Sequence, residues 1–394
     1  MEGKRRHLLA GGLAALMLWG LCPGVSASEG EELITVLTQP AAPEISAKSG
    51  ILIEQTTGQI LYEKNAHEKM HPASVTKIMT LLLVMEAIDS GKISLEDRVV
   101  TSDYASSMGG SEIWLAPGEE MSVHDLIKAT AVSSANDAAV ALGEHVAGSN
   151  DGFVAMMNRR AQELGMADTQ FVNAHGLDAE GHMTSAHDIA VMSRELLSHS
   201  KILEYTTIWM DTLRDGATSL VNTNRLIRFY KGATGLKTGT TSLAGSCLSA
   251  SASREGVSFI AVVMGCATSD ERFASARALL DHGFANWETV TPELGEEFPA
   301  TLPVVGGIAD TLPLAYDPPA QVLIPKGRRG DISRVLTLPE ALEAPVEEGQ
   351  VLGKVEYFLD DEKLGESAVF AGEGVRKKSF WDALLQMLLS MLKM

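Results

Sequence analysis

Three short groups of polar residues in this chain could together carry out nucleophilic catalysis. Ser74 precedes Lys77 by three positions, Ser134 precedes Asn136 by two, and Lys237 begins a Lys-Thr-Gly run. A serine hydroxyl becomes a useful nucleophile only when a neighbouring group takes its proton. Residues i and i+3 share one face of a helix, so Lys77 would lie within reach of the Ser74 hydroxyl. The spacing therefore predicts a serine–lysine pair that attacks an acyl group.

The residues after Lys77 indicate that this lysine is buried. Residues 78–85 are apolar around nearly the whole helix, and a helix over 72–89 is predicted between Pro72 and Gly91. Burial disfavours the ammonium form and lowers the lysine pKa towards the value that a base needs. The free N–H groups at the helix start favour a developing oxyanion. The alternative is a helix-capping Ser74 followed by a surface lysine.

The second and third groups have structural alternatives as well. Ser134 could pass a proton to a leaving nitrogen and Asn136 could hold a substrate amide, or both could cap the helix predicted from Asp137. Lys237 would supply a positive charge, and Gly239 would let substrate backbone approach a strand closely. Alternatively, these two residues form only a strand edge and a turn.

The elements that must position these groups change in type along the chain. Strands, then many helices, then strands again predict an α/β (α+β) fold, a mixed sheet with an inserted helical region. From Pro292 onward, short β-type runs punctuated by prolines predict a separate small all-β domain over 292–372. The other predicted helices are 123–133, 137–147, 151–164, 186–198 and 271–284, and the predicted strands include 51–54, 59–62, 246–253, 257–264, 321–324, 333–336, 351–358 and 367–370.

The N-terminus has the pattern of a secretory signal peptide over residues 1–27. A basic start, Lys4 to His7, is followed by the apolar run 8–21 and by small residues before Ser28. The apolar run is shorter than the roughly 20 residues that a membrane-spanning helix needs. The chain is therefore expected to be exported, to the outer face of the cytoplasmic membrane or the cell wall.

The C-terminal residues 377–394 predict an amphipathic helix that lies on the membrane surface. Trp381 and the neighbouring basic residues would sit near the lipid headgroups. The alternative is a helix docked on its own domain, but the Gly-rich stretch 371–374 favours a detached anchor. The polar stripe of this helix consists of Ser379, Asp382, Gln386, Ser390 and Lys393.

Composition excludes several classes of function. The chain has 394 residues, enough for two or three domains, and 32 basic against 51 acidic residues give a net charge of −19. A field of that sign repels phosphate backbones, so nucleic acid is not an expected partner. Three cysteines are too few for a disulfide scaffold, and Cys247 and Cys266 are predicted to be separate buried thiols.

The longer sequences around these groups resemble those of D-alanyl-D-alanine carboxypeptidases, the low-molecular-mass penicillin-binding proteins of the S11 serine peptidase type. The matching stretches are 73–80, 134–139, 171–178 and 237–241. The resemblance is strong over about 45–290 and looser through the β-domain and the anchor. It implies a penicillin-binding/β-lactamase-like catalytic domain with an antiparallel sheet and a helical region.

The resemblance also implies a role for each residue and a substrate. Ser74 would be acylated with Lys77 as its base, and the backbone N–H groups of Ser74 and Thr240 would form the oxyanion hole. Arg272 would bind the carboxylate of the terminal D-alanine, or else pair with Asp270 or Glu271. The substrates would be peptidoglycan stem peptides ending in D-Ala-D-Ala, and β-lactams would acylate the same serine without any cofactor or metal. The full set of implied residues is Ser74, Lys77, Ser134 and Asn136 for catalysis, and Lys237, Thr238, Gly239, Thr240 and Arg272 for substrate binding.

Three other functions compete with this interpretation. A β-lactamase would use the same acyl-enzyme, but the chain lacks the glutamate-to-asparagine spacing of class A enzymes. A zinc peptidase would use His175, His182 and His187, which lack a helical H-x-x-x-H pair. A non-catalytic wall-binding protein would need no serine–lysine pair on a buried helix.

Overall fold

The computed structural model describes residues 42–295 and 298–392. The chain from Ala42 onward forms one compact unit. The predicted signal peptide, residues 1–27, lies outside the described residues.

An antiparallel five-stranded sheet, in the order β2-β1-β9-β8-β7, is the frame of the first part of the chain. Two small antiparallel strand pairs, β3–β4 and β5–β6, lie outside this sheet. The strand bounds are β1 Ser49–Glu54, β2 Ile60–Lys64, β3 Arg98–Val100, β4 Glu120–Ser122, β5 Met210–Leu213, β6 Thr218–Val221, β7 Ala233–Thr241, β8 Gly245–Arg254 and β9 Val257–Cys266.

The β8–β9 hairpin turns through Glu255 and Gly256, which both have positive φ, as a tight two-residue turn requires. The register pairs Ser249 with Val262 and Ser246 with Cys266, with an irregularity between these two pairs. Both cysteines are buried and free, as predicted.

Helices cover both faces of the sheet. In four helices, α3, α5, α6 and α9, the N-cap serine or threonine accepts a hydrogen bond from the backbone N–H of the residue three positions later. Such capping residues mark helix starts in the sequence, which explains why the starts of these helices were predictable to within two residues. The helix bounds are α1 Lys77–Asp89, α2 Asp103–Ser106, α3 Val123–Val132, α4 Asn136–Ala147, α5 Asn150–Glu163, α6 Ala186–Ser198, α7 Leu203–Thr206, α8 Leu226–Phe229, α9 Ser269–Asn286 and, at the C-terminus, α10 Phe380–Leu392.

The sheet separates two hydrophobic cores. On one face, α1 is buried over the nine residues from Lys77 to Met85 and packs with α3, α4 and α6 in the larger core. On the other face, α9 packs against β8 and β9, with Phe259 and Phe284 in edge contact. The catalytic candidates lie on the first side, where α1 passes beneath the edge strand β7.

The predicted helix over 72–89 is in fact two elements. A 3₁₀ turn, Ala73–Thr76, precedes α1, and Ala73 has a φ of +50°. The backbone of Gly176 packs so closely here that a Cβ on it would lie 1.9 Å from the carbonyl oxygen of Ala73. The nucleophile candidate Ser74 therefore sits in the tight turn rather than in the helix.

The described residues between α9 and α10 form strands and one short 3₁₀ turn, Arg329–Asp331, which confirms the predicted fold class of an α+β part followed by a β part. Its six-stranded sheet has the order β14-β16-β17-β12-β11-β15, and β10 pairs with β13. The domain boundaries themselves remain predictions. The strands are β10 Trp287–Val290, β11 Thr301–Val305, β12 Thr311–Tyr316, β13 Val322–Pro325, β14 Ile332–Thr337, β15 Leu342–Glu343, β16 Val351–Leu359 and β17 Glu362–Ala371.

The chain immediately after the Gly-rich stretch 371–374 still pairs with the β-region, although the sequence predicts a detached anchor from there on. Val375 pairs with Val346, and Lys377 pairs with Gly307. The helix α10 then begins, and most of its described apolar side chains are exposed. Within the described part of the chain, none of the helices combines the length and the hydropathy needed to cross a membrane.

Candidate active site

Lys77 connects the first two predicted groups. Its fully buried Nζ lies 3.0 Å from the Ser74 hydroxyl, 2.6 Å from Oδ1 of Asn136 and 2.7 Å from the carbonyl oxygen of His175. The last two atoms can only accept hydrogen bonds. A neutral Lys77 amine therefore donates its two N–H groups to them and turns its lone pair to the Ser74 hydroxyl, which is the geometry of a general base.

Burial and two neighbouring charges set the pKa of Lys77. Burial is the main cause, and the neighbouring Lys237 adds to it, while Asp137 acts in the opposite direction; together they hold the pKa of Lys77 well below its ordinary value. A lower pKa increases the share of the neutral form, which is the form that can take a proton.

The turn that carries Ser74 is held by a chain of hydrogen bonds through a histidine. The Thr76 hydroxyl donates to the carbonyl oxygen of Ala73 at 2.9 Å, and His182 Nε2 lies 2.8 Å from the same hydroxyl. The other ring nitrogen of His182 accepts from the backbone N–H of Val172 at 2.9 Å. These contacts hold the 3₁₀ turn that carries Ser74 in place.

The second group lies where α3 ends and α4 begins. Ser134 has a φ of +67° and is almost fully buried. No group in the described ranges hydrogen-bonds to its hydroxyl, so the hydroxyl is available to a substrate. Asn136 is the first residue of α4 and does not cap it, because its amide bridges Lys77 and the carbonyl oxygen of Gly109, 2.6 Å away.

The third group runs along β7, next to the Ser74 turn. A Cβ on Gly239 would lie 2.9 Å from the backbone nitrogen of Ser74, so only glycine permits this approach. Lys237 is fully buried, and burial, with a contribution from Arg272, lowers its pKa to about 7. The Thr238 hydroxyl donates to Thr223 at 2.6 Å.

Arg272 lies behind the end of β7. Its guanidinium donates to the carbonyl oxygens of Gly239 and Cys247 and to the hydroxyls of Thr240 and Ser269, over 3.0–3.4 Å. Asp270 pairs with Arg225, and Glu271 accepts from the backbone of Ala267, so the alternative pairing of Arg272 with either acid is wrong. Hydrogen bonds and close backbone approach thus link six of the nine predicted residues, and the other three, Ser134, Lys237 and Thr238, lie within two positions of them in the chain. The six are Ser74, Lys77, Asn136, Gly239, Thr240 and Arg272.

Sequence reasoning missed several residues that support the site. The sequence suggests His182 only as a zinc ligand and gives no indication of a role for the backbone of His175. Burial is the main cause that lowers the pKa of His175 to about 3 and of His182 to about 4, so both rings are neutral. The run 171–178, which matched the family, could have drawn attention to this loop.

Each of the three histidines proposed as zinc ligands has a different contact, and Nδ1 of His175 accepts from the backbone N–H of Leu177 at 3.2 Å. His187 stacks on His67, whereas His182 holds the Ser74 turn. Among the described residues, one group of three side chains has ligand atoms close enough to share a metal, namely Glu86, Glu195 and His199. Arg160 already pairs with both of these glutamates, at 2.8 and 2.6 Å. Its charge occupies the place that a cation would take.

This geometry can activate a hydroxyl for attack on an acyl carbon and can stabilise the negative charge that then develops beside it. It therefore defines the class of the protein as a serine hydrolase that works through an acyl-enzyme. Family models match twice: D-alanyl-D-alanine carboxypeptidase of the peptidase S11 type over residues 36–268, and the C-terminal domain of penicillin-binding protein 5 over 288–377. The chain belongs to the S11 family of D-alanyl-D-alanine carboxypeptidases.

Individual relatives agree with this assignment. The chain is 41% identical to the D-alanyl-D-alanine carboxypeptidase DacF of Bacillus subtilis over 95% of its own length and 96% of the relative. It resembles the crystal structure of penicillin-binding protein 5 from Haemophilus influenzae, with a TM-score of 0.74 and 31% identity, covering 86% of this chain and 100% of the other. It also resembles ampicillin-bound penicillin-binding protein D2 from Listeria monocytogenes, with a TM-score of 0.56 and 35% identity, covering 61% and 98%.

Proposed function

We propose that Ser74 is the nucleophile of this carboxypeptidase and that it removes the terminal D-alanine from peptidoglycan stem peptides ending in D-Ala-D-Ala. The observation that carries the proposal is the 3.0 Å contact between Lys77 Nζ and the Ser74 hydroxyl, with the other two Lys77 contacts made to pure acceptors.

The reaction proceeds in two halves. Lys77 takes the Ser74 proton as Oγ attacks the penultimate carbonyl carbon, and the oxyanion lies between the N–H groups of Ser74 and Thr240. Lys77 passes this proton to Ser134 as Ser134 gives its own proton to the leaving nitrogen, and the C–N bond breaks as D-alanine departs. In the second half, Lys77 takes a proton from water as the water oxygen attacks the ester carbonyl. That proton returns to Ser74 Oγ as the ester bond breaks.

The carboxylate of the departing D-alanine binds at the Lys237–Thr238 side of the groove. Lys237 supplies charge there, and Arg272 adds to the positive potential from behind Thr240. A charge-assisted contact of this kind selects for a free C-terminus, which a carboxypeptidase needs.

β-Lactams acylate Ser74 in this proposal. Support comes from penicillin-binding protein D2 of Listeria monocytogenes, a structural relative described in ampicillin-bound and cefotaxime-bound forms. A slowly released stoichiometric adduct with a chromogenic cephalosporin is expected, whereas many turnovers per second would identify a β-lactamase.

The protein acts outside the cell, at the outer face of the cytoplasmic membrane. The signal-like residues 1–27 support export, and the exposed apolar side chains of α10 support peripheral attachment. The all-β region holds the catalytic part away from the membrane surface.

The direct test incubates the full chain with diacetyl-Lys-D-Ala-D-Ala and measures free D-alanine. Ser74→Ala is expected to abolish release, whereas the matched control Ser106→Ala keeps it, because this half-buried serine donates only to the carbonyl oxygen of Asp103 in its own helix. Release at the normal rate from Ser74→Ala would show that another residue is the nucleophile.

A further inference from the structure

A tryptophan beside the catalytic groove is held in an exposed and strained position. Trp114 is 76% exposed, whereas its neighbours Ile113 and Leu115 are 1% and 3% exposed. Its φ is +52°, in the left-handed region that bulky residues rarely adopt. Such backbone strain persists only where the surrounding structure enforces it, and it concentrates at functional sites.

The restraint on Trp114 comes from the residue next to Asn136. The backbone N–H groups of Ile113 and Leu115 donate to the buried carboxylate of Asp137, at 3.1 and 3.0 Å. The carbonyl oxygen of Ile113 accepts from Arg214 at 2.9 Å. Both peptide groups that flank Trp114 are thus fixed, and the indole is held outward.

The preceding residues of the same segment, 109–115, are bound directly to Asn136. Its side-chain amide donates to the carbonyl oxygen of Gly109 at 2.6 Å, and its backbone N–H donates to Ser111 at 2.7 Å. The segment therefore forms the wall of the groove next to the catalytic asparagine. Leu177, which is 37% exposed, borders the same segment at Gly110.

The direction in which the peptide lies in the groove determines which of its residues meets segment 109–115. In the proposed reaction the leaving D-alanine lies towards Ser134 and Thr238, so the acyl part of the peptide must leave the groove past Asn136. The residue N-terminal to D-Ala-D-Ala then reaches segment 109–115. The segment carries the exposed indole of Trp114 and is bordered at Gly110 by the half-exposed Leu177, and flat aromatic rings pack well on aliphatic chains.

We propose that Trp114 is a specificity-determining residue that packs against the aliphatic side chain of the residue preceding D-Ala-D-Ala. The substrate class is thus a peptide with a long aliphatic side chain, such as that of a diamino acid, at this position. The inference rests on the proposed function of the groove and adds a subsite to it. The strained backbone pre-organises the indole, so little ordering is needed on binding.

The test compares two peptides that differ only at this position, diacetyl-Lys-D-Ala-D-Ala and acetyl-Gly-D-Ala-D-Ala. Trp114→Ala is expected to lower kcat/KM about tenfold for the lysyl peptide and less than about twofold for the glycyl peptide, the size expected for a buried apolar contact. Trp114→Gly removes the indole where glycine accepts the positive φ, and should give the same ratio. Trp114→Phe should stay within about threefold of the parent on both.

Equal losses on the two peptides would overturn the proposal, because they would show that Trp114 only maintains the segment. Unchanged kinetics of Trp114→Ala on both peptides would also overturn the proposal, and the exposed indole would then be a candidate contact for a partner macromolecule. Failure of the proposed function looks different: the unmodified enzyme would then release D-alanine from neither peptide.

Discussion

The imidazole of His182 and the hydroxyl of Thr76 lie 2.8 Å apart, directly beneath the turn that carries Ser74. Because Nδ1 of His182 accepts from the N–H of Val172, the ring proton must be on Nε2. Nε2 then donates to Thr76, whose own proton goes to the carbonyl oxygen of Ala73. One neutral histidine thus fixes the position of the nucleophile through two hydrogen bonds.

Replacing this histidine should slow acylation. His182→Phe removes two hydrogen bonds, to the Val172 N–H and to the Thr76 hydroxyl, and at about 0.5–1.5 kcal/mol each this lowers the free energy of unfolding by about 1–3 kcal/mol. We expect the second-order rate of Ser74 acylation by a labelled penicillin to fall at least about tenfold. His182→Gln, which can both accept and donate, should recover part of this rate.

The control is His67→Gln, at an exposed histidine that stacks on His187 away from Ser74. Its acylation rate should match the parent. An unchanged rate in His182→Phe, with the stability loss present, would show that the histidine has only a structural role.

The two neutral histidines predict how stability depends on pH. The pKa values of His175 and His182 are about 3 and about 4 in the folded protein, against an ordinary value of 6.5. Above pH 6.5 both rings are neutral whether folded or unfolded, so they contribute no difference. Below it, the unfolded chain takes up protons first, and the free energy of unfolding falls towards pH 4.

The slope from each histidine approaches about 1.4 kcal/mol per pH unit. Urea unfolding at pH 7, 6 and 5 measures it, and His182→Gln should remove about half of the effect. A free energy of unfolding that does not decrease between pH 6.5 and 5, or that decreases equally in His182→Gln, would contradict the assignment.

Asn136 should control the protonation of Lys77. Its Oδ1 is a neutral acceptor 2.6 Å from Nζ, and Asn136→Asp places a carboxylate there without changing the shape. An adjacent negative charge favours the ammonium form and raises the pKa of Lys77. The acid limb of the kcat/KM profile, where Lys77 loses its proton to become the base, should therefore move to higher pH.

The pH profile of diacetyl-Lys-D-Ala-D-Ala hydrolysis checks this shift. Activity of Asn136→Asp near neutral pH is expected to fall at least about tenfold and to recover partly as the pH rises. Asn136→Ala removes the acceptor without adding charge, so it should lose activity with no upward shift of the limb. The same shift in both variants would mean that Lys77 is not the group that titrates.

Local signals sufficed for some parts of the molecule and not for others. The three-residue spacing and the apolar run 78–85 predicted that Lys77 would be buried near Ser74, because helix periodicity is a short-range property. The 3₁₀ turn at Ala73 could not be predicted, since it depends on the approach of Gly176, about a hundred residues away. Trp114 gave no signal either, because its strain comes from Asp137.

The C-terminal strands show the same limit. β11 and β12 contain Pro303 and Pro313, and proline inside a run argues against a strand. Here both prolines are accommodated in the β11–β12 pair, where Thr301 lies opposite Pro313 and Pro303 opposite Thr311. This pairing depends on contacts between different strands of the sheet, so the local sequence around each proline does not predict it.

The exposed face of α10 predicts reversible binding to membranes. Phe380, Trp381, Leu385 and Met391 are between 60% and 75% exposed, and Arg376 pairs with Asp382 at the start of the helix. Leu385→Glu puts a charge into the face that would enter the lipid interface. Since burying a leucine contributes about 1.5–3 kcal/mol, we expect at least about tenfold weaker co-sedimentation with phosphatidylglycerol vesicles.

Met210→Glu, at an equally exposed methionine on β5, should bind like the parent, and D-alanine release from the soluble peptide should be unchanged in both variants. Equal binding of Leu385→Glu and the parent would exclude α10 as the attachment.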